Sequence, residues 1–156
     1  VGYFQRGNVG QFMDFFCKTM ARNVKEEYVT TKVQEQTYYC YAYRIAERCC
    51  TIIADGEYPL RIISQLCRDT LTTQRELSEF LPELLKRSQD PTAIDKMASI
   101  QRDLGDIKVT LHKSIEAMLE RGTKLDDLVA DSAELSAASK TFYRAAQRTN
   151  SCCVIS

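Results

Sequence analysis

Apolar residues in the first part of the chain change their spacing twice. The opening segment repeats them every three to four residues, which predicts an amphipathic helix. Its apolar positions are Val9, Phe12, Met13, Phe16 and Met20. Three segments of strand length follow at 28–33, 37–45 and 48–54, and they are rich in aromatic and β-branched residues. After Pro59 the helical spacing returns, so the pattern predicts an α+β domain with adjacent antiparallel strands.

The expected sheet has few strands for a domain that must also cover its helices. The chain begins with Val1 rather than Met, inside apolar sequence. We therefore expect residues 1–86 to form an N-terminally truncated domain that lacks its first strands. Polar residues and Pro91 then predict a linker at 87–96.

A heptad pattern characterises the second part of the chain. Apolar residues alternate there at spacings of three and four, and eleven of sixteen successive a/d positions are apolar. Such a run predicts a coiled-coil helix over 97–150, which would be roughly 80 Å long. We call the sixteen positions the seam: Met97, Ile100, Leu104, Ile107, Leu111, Ser114, Met118, Arg121, Leu125, Leu128, Ser132, Leu135, Ser139, Phe142, Ala146 and Thr149.

Arg121 interrupts the middle of the seam, between Met118 and Leu125. A buried guanidinium is costly unless its donors are satisfied, and arginines from identical helices would repel one another in one layer. Arg121 therefore favours a heteromeric bundle whose partner helices supply acceptors, with a homo-oligomeric coiled coil as the alternative. Gly105 and Gly122 each cost about 1 kcal/mol relative to alanine. We expect the isolated helix to be weak and to order on binding.

Composition narrows the class of protein. Lys plus Arg and Asp plus Glu both number 21, and this balance argues against a dedicated nucleic-acid-binding protein. No apolar run approaches the length of a membrane-spanning helix. Seven cysteines without a C-x-x-C motif, and the single histidine, His112, argue against a disulfide framework and a metal site. We expect a reducing compartment and no cofactor, metal or small-molecule substrate.

The C-terminus carries a lipidation signal. Cys153 is followed by two aliphatic residues and a terminal Ser, which fits the C-a-a-X prenylation motif with farnesyl favoured. One lipid chain anchors weakly, and Cys152 is a candidate palmitoylation site for a second. A basic stripe at Lys140, Arg144 and Arg148 would add attraction to an anionic leaflet. We therefore expect reversible attachment to the cytosolic face of a membrane.

These segments together resemble the SNARE proteins of membrane fusion. The sequence MLERGTKLDDLVADSAEL at 118–135 is similar to the centre of an R-SNARE motif, with Arg121 in the place of the ionic zero-layer arginine. The preceding part resembles the longin domain. YFQRGNVGQFM, IADGEYPLR and the double-cysteine tail are most similar to the prenylated YKT-type synaptobrevin homologues. The resemblance covers essentially the whole chain.

The resemblance implies a role in fusion of vesicles with Golgi, endosomal or vacuolar membranes. The seam would meet the Qa, Qb and Qc helices of Q-SNARE partners in a four-helix bundle, with Arg121 donating to their glutamines. In relatives the longin domain can fold back on the SNARE segment and shelter the lipid in an apolar groove. Phe15 matches a position that faces this groove. The two strands that open longin domains are absent here.

The predicted organisation has four parts: a truncated longin-like domain at 1–86, a linker at 87–96, an R-SNARE coiled-coil motif at 97–150 and a lipidated tail at 151–156. An enzyme is not expected, because the sequence has no G-x-x-x-x-G-K-[ST] motif and no nucleophile–base pair. The alternative function is a lipid-anchored homo-oligomeric scaffold at a membrane surface. That reading leaves Arg121 unexplained.

Overall fold

The chain forms two compact units in a computed structural model that describes residues 3–35, 38–55, 58–89 and 107–151. The first, which we call the sheet unit, is Met20–Met118. The second, which we call the helical unit, combines Val1–Thr19 with Leu119–Ser156.

Five helices and four strands make up the described part of the chain, with a short 3₁₀ turn at Ile115–Ala117. In chain order they are α1 (Tyr3–Asn23), β1 (Thr30–Glu35), β2 (Tyr38–Ile45), β3 (Arg48–Asp55), α2 (Leu60–Thr72), α3 (Leu77–Arg87), β4 (Val109–His112), α4 (Leu125–Asp131) and α5 (Ala137–Ser151).

The sheet unit is built on a mixed sheet in the order β3-β2-β1-β4. The first three strands pair antiparallel as successive neighbours, and β4 lies parallel to β1. Tyr41 and Tyr43 of β2 are buried and form an apolar core with Ile63, Cys67 and Leu71 of α2. The three helix residues recur every four positions, which places them on one side of α2.

The turn between β2 and β3 contains backbone strain. Ala46 has φ 51°, in the left-handed region that a Cβ atom disfavours. The turn is nevertheless fixed by the strands on either side, because Ile45 pairs with Arg48 across it.

The sequence predicted the α+β class and the three antiparallel strands, and both are confirmed. The continuous coiled-coil helix over 97–150 is not found in the single chain. Residues 107–151 instead form β4, the 3₁₀ turn, α4 and α5, with non-helical backbone between them. A coiled-coil helix needs partner helices to bury its seam. Gly122, with φ 95°, also adopts a conformation incompatible with a continuous helix.

Candidate functional site

The seam is the candidate functional site, and its first described part lies in the sheet unit. β4 carries Leu111, whose side chain is 65% exposed, while Ile107, Ser114 and Met118 are partly exposed. Backbone hydrogen bonding joins this segment to β1, beginning with the amide of Thr30, which donates to the Lys108 carbonyl at 2.9 Å. The strand pairing therefore holds the segment mainly through its backbone and leaves the Leu111 side chain unburied.

Side chains outside the seam strengthen this attachment. The hydroxyl of Thr110 donates to Glu26 at 2.6 Å. Ile115, in the 3₁₀ turn after β4, is fully buried. Residues that lie between the seam positions thus attach this part of the motif to the rest of the sheet unit.

Arg121 lies in a turn and is exposed. Within the part of the chain that the structure describes, its guanidinium has no hydrogen bond and no ion pair. The next residue is Gly122, whose positive φ turns the backbone there. Arg121 is therefore available to an external acceptor in this state of the chain.

The second part of the seam lies in the helical unit and is more deeply buried. Leu125 and Leu135 are each 5% exposed, and Ser139 is completely buried. Four more seam positions are partly exposed: Leu128, Ser132, Phe142 and Ala146. Side chains that a coiled coil would bury against partner helices are here buried within one chain.

Ser139 is held by polar groups of α1. Its hydroxyl donates to the Gln11 side-chain carbonyl at 2.7 Å and lies 3.4 Å from the Asn8 carbonyl. The Ser136 hydroxyl caps the start of α5, because it accepts from the Ser139 amide at 3.2 Å. A buried hydroxyl with such partners costs little to bury.

Tyr143 is the second anchor between α1 and α5. Its ring stacks on Phe12 with a centroid distance of 5.0 Å, and the residue is only 9% exposed. Its hydroxyl donates to the Asp126 carboxylate at 2.8 Å, and Gln147 donates to the same oxygen at 2.9 Å. Tyr143 follows the seam position Phe142 and is not itself in the seam. It stabilises the helical unit without belonging to the heptad surface.

Lys18 of α1 forms two exposed ion pairs. Lys18 lies 2.8 Å from Asp14 and 3.1 Å from Glu134. Hydrogen bonds to Asp14 and then to Glu134 raise the pKa of Lys18. All three side chains are exposed, so water screens the attraction and the pairs contribute little to stability.

Phe15, the predicted groove residue, is 7% exposed in the helical unit, with its ring centroid 6.4 Å from that of Phe12. Several other predicted residues lie outside the described residues: the seam positions Met97, Ile100 and Leu104, and the lipidation sites Cys152 and Cys153. Thr149 lies in α5, but its side chain is not among those described.

Sequence reasoning missed Gln11, Asp126 and Tyr143 as functional residues. The one signal in the sequence is the aromatic residue Tyr143 directly after the seam position Phe142, because a tyrosine that becomes buried needs a polar partner for its hydroxyl.

Within the described ranges, no helix is long and apolar enough to span a membrane. The same ranges contain no cluster of side chains suited to a metal ion.

Comparison with known proteins identifies the family. The synaptobrevin family profile matches residues 96–155. Synaptobrevin homolog ykt6 of Schizosaccharomyces pombe is 37% identical over an alignment 168 positions long, which covers 98% of this chain and 85% of the relative. VAMP-like protein YKT61 of Arabidopsis thaliana is 37% identical, covering 99% and 84%. Synaptobrevin homolog YKT6 of Saccharomyces cerevisiae is 34% identical, covering 99% and 86%.

The chain therefore belongs to the YKT-type synaptobrevin homologues, which are longin R-SNAREs of vesicle trafficking. Both the predicted family and the longin-like α+β class are confirmed. Proteins of this family are SNAREs and not enzymes, so the expectation of a non-catalytic protein agrees with the family.

Proposed function

We propose that the chain drives fusion of intracellular vesicles by assembling its seam with Qa, Qb and Qc helices of Q-SNARE partners in a four-helix bundle. The observation that carries this proposal is Arg121. It occupies the central position of an otherwise mainly apolar seam, yet it is exposed and unpaired within the described residues. Its planar fork of donors suits the amide oxygens of glutamines on partner helices.

The single chain then represents the state before assembly. Leu125, Leu135 and Ser139 are buried within the helical unit, and the segment around Leu111 is paired as β4. A seam that enters a bundle must leave these contacts, so folding within the chain and assembly with partners compete. This arrangement supports a closed state of the chain, in which Phe15 would line the apolar groove that shelters the lipid.

Attachment to the membrane completes the proposal. Farnesyl on Cys153 and palmitoyl on Cys152 would hold the chain peripherally on Golgi, endosomal, vacuolar or vesicle membranes. α5 leads directly towards these cysteines. Of the basic stripe, Lys140 donates to the Ala130 carbonyl at 2.7 Å, while Arg144 is exposed and available to anionic lipids.

The deciding experiment measures assembly of the full chain with three Q-SNARE helices by circular dichroism and sedimentation. Removing one partner of a buried, hydrogen-bonded charge typically costs about 2–5 kcal/mol. Arg121→Ala should therefore weaken the complex, and Arg121→Gln should be milder because its amide still donates. Arg144→Ala is the matched control, since Arg144 is exposed and lies outside the seam.

The homo-oligomeric scaffold makes the opposite prediction. Removing a self-repelling arginine from every strand should strengthen self-association. If the wild-type chain sediments as a stable trimer or tetramer and Arg121→Leu tightens it, the fusion proposal is wrong.

A further inference from the structure

Four cysteines lie near one another in the sheet unit, and neither the seam nor the lipidated tail uses them. Cys67 of α2 is completely buried, and Cys50 of β3 packs against the core that contains it. The two side chains are hydrogen-bonding partners. Cys40 and Cys49 influence Cys67 only through longer-range electrostatics. All four are in the thiol state and none is in a disulfide.

The strand register explains why Cys50 and not Cys49 meets the helix. Cys50 pairs with Tyr43, so its side chain lies on the sheet face that Tyr43 shares with the α2 core. Successive side chains of a strand point to opposite faces, which directs Cys49 away from that core. The Cys49 sulfur is instead 3.9 Å from the Cys50 carbonyl.

We propose that Cys50 and Cys67 form a redox-active dithiol, which hydrogen peroxide converts into a disulfide between β3 and α2. The Cys50 thiolate attacks one peroxide oxygen, the O–O bond breaks, and Cys50 becomes a sulfenic acid as hydroxide leaves. The Cys67 sulfur then attacks the Cys50 sulfur, the S–O bond breaks, and the displaced hydroxyl takes up a proton as water. Two thiols and one peroxide thus give one disulfide and two waters.

The surroundings set the order of these steps. Cys50 is partly exposed and is the thiol that peroxide reaches. The hydrogen bond to Cys50, followed by burial, raises the pKa of the Cys67 thiol. Cys67 therefore stays protonated and acts as the resolving thiol, so its attack on the Cys50 sulfenic acid is the slow step.

A disulfide here would fasten the helix to the sheet edge. It would close the loop that connects β3 to α2, and closing a loop of this size restricts the unfolded chain. We expect the melting temperature of the oxidised protein to rise by about 10 °C and to return to its original value with dithiothreitol. The disulfide would protect the longin-like part of the chain during oxidative conditions.

Peptide mapping of the full chain tests the proposal directly. After peroxide treatment, alkylation and tryptic digestion without reductant, cleavage at Arg48, Arg61 and Arg68 gives peptides 49–61 and 62–68. The proposal expects these two peptides joined, with a mass two hydrogens below the sum of peptide 49–61 alkylated once, at Cys49, and unmodified peptide 62–68.

Two variants identify the sulfur in peptide 49–61. Cys50→Ala should abolish the joined peptide and the rise in melting temperature. Cys49→Ala is the matched control and should retain both. A joined peptide that survives in Cys50→Ala would overturn the proposal, as would oxidation that yields only a Cys49–Cys50 disulfide or sulfinic acids.

Discussion

Tyr143 offers a way to weaken the helical unit without changing the seam. Its ring stacks on Phe12 at 5.0 Å, and its hydroxyl donates to Asp126 at 2.8 Å. An aromatic stack is worth about 0.5–1.5 kcal/mol beyond its buried area, and truncation of a large buried aromatic costs about 3–5 kcal/mol in total. The Tyr143 hydroxyl bonds to Asp126, which is exposed, so we take the lower end of this range and expect about 3 kcal/mol for Tyr143→Ala.

The conservative variant separates the ring from the hydroxyl. Tyr143→Phe keeps the stack on Phe12 and loses only the hydrogen bond to Asp126, which is worth about 1 kcal/mol. Since 1.4 kcal/mol is a factor of ten, opening of the helical unit should increase more than 100-fold for Tyr143→Ala and about fivefold for Tyr143→Phe.

Native-state hydrogen exchange measures this opening without any partner. The amides of α4 and α5 should exchange faster in the order wild type, Tyr143→Phe, Tyr143→Ala. Assembly with Q-SNARE helices should accelerate in the same order, because the seam is released more often. Phe142→Ala is the matched control, since it removes an adjacent seam side chain and should weaken the assembled bundle.

Two results would refute this reasoning. Equal exchange of α5 amides in wild type and Tyr143→Ala would show that the stack does not hold the helical unit closed. Faster exchange with unchanged assembly kinetics would show that the unit does open but that its opening does not limit access to the seam.

Three further predictions concern the tail, a turn and a half-buried carboxyl. Cys153→Ser should move the protein to the cytosolic fraction in cell fractionation, whereas Cys152→Ser should leave weak, reversible attachment; a Cys153→Ser protein that pellets like wild type would contradict the lipid anchor. Ala46→Gly should stabilise the chain to urea by about 0.5 kcal/mol, because relief of the left-handed strain exceeds the added entropy of the unfolded glycine; a lower urea midpoint would disprove the strain. Burial raises the pKa of Asp69, although a hydrogen bond from Gln65 opposes the shift. Because this folded-state pKa exceeds the unfolded one, Asp69 favours folding below the unfolded pKa, and that advantage is lost as pH rises through the folded pKa. Asp69→Asn should therefore raise the free energy of unfolding at pH 7, by less than about 1 kcal/mol after solvent screening, and this gain should disappear in acid. An equal gain at both pH values would exclude titration as the cause.

Local patterns in the sequence were sufficient for the first part of the fold. Alternating aromatic residues placed β2 at 37–45, close to the observed Tyr38–Ile45, and the helical spacing after Pro59 predicted α2. These elements follow from residues that are near one another in the chain. The expectation that further strands precede Val1 stays a prediction.

The second part shows where such patterns fail. The heptad spacing describes a surface suited to partner helices, but it does not describe what the segment does alone. Residues 109–112 pair with β1 because that edge offers unpaired backbone groups, and neither the spacing of Leu111 nor its neighbours indicates this. The packing of Ser139 and Tyr143 depends on α1, more than 100 residues earlier. Single-sequence periodicity contains no information on such long-range partners.

The parallel pairing of β4 has a consequence for the order in which the chain folds. Thr30 pairs with Val109, 79 residues later, whereas β1, β2 and β3 follow one another closely along the chain. Loop-closure entropy favours the local hairpins first, and during synthesis β4 does not exist until most of the chain has left the ribosome. Residues 30–35 are therefore synthesised well before 109–112, and the Thr30 amide gains its Lys108 acceptor only after the later segment has been made.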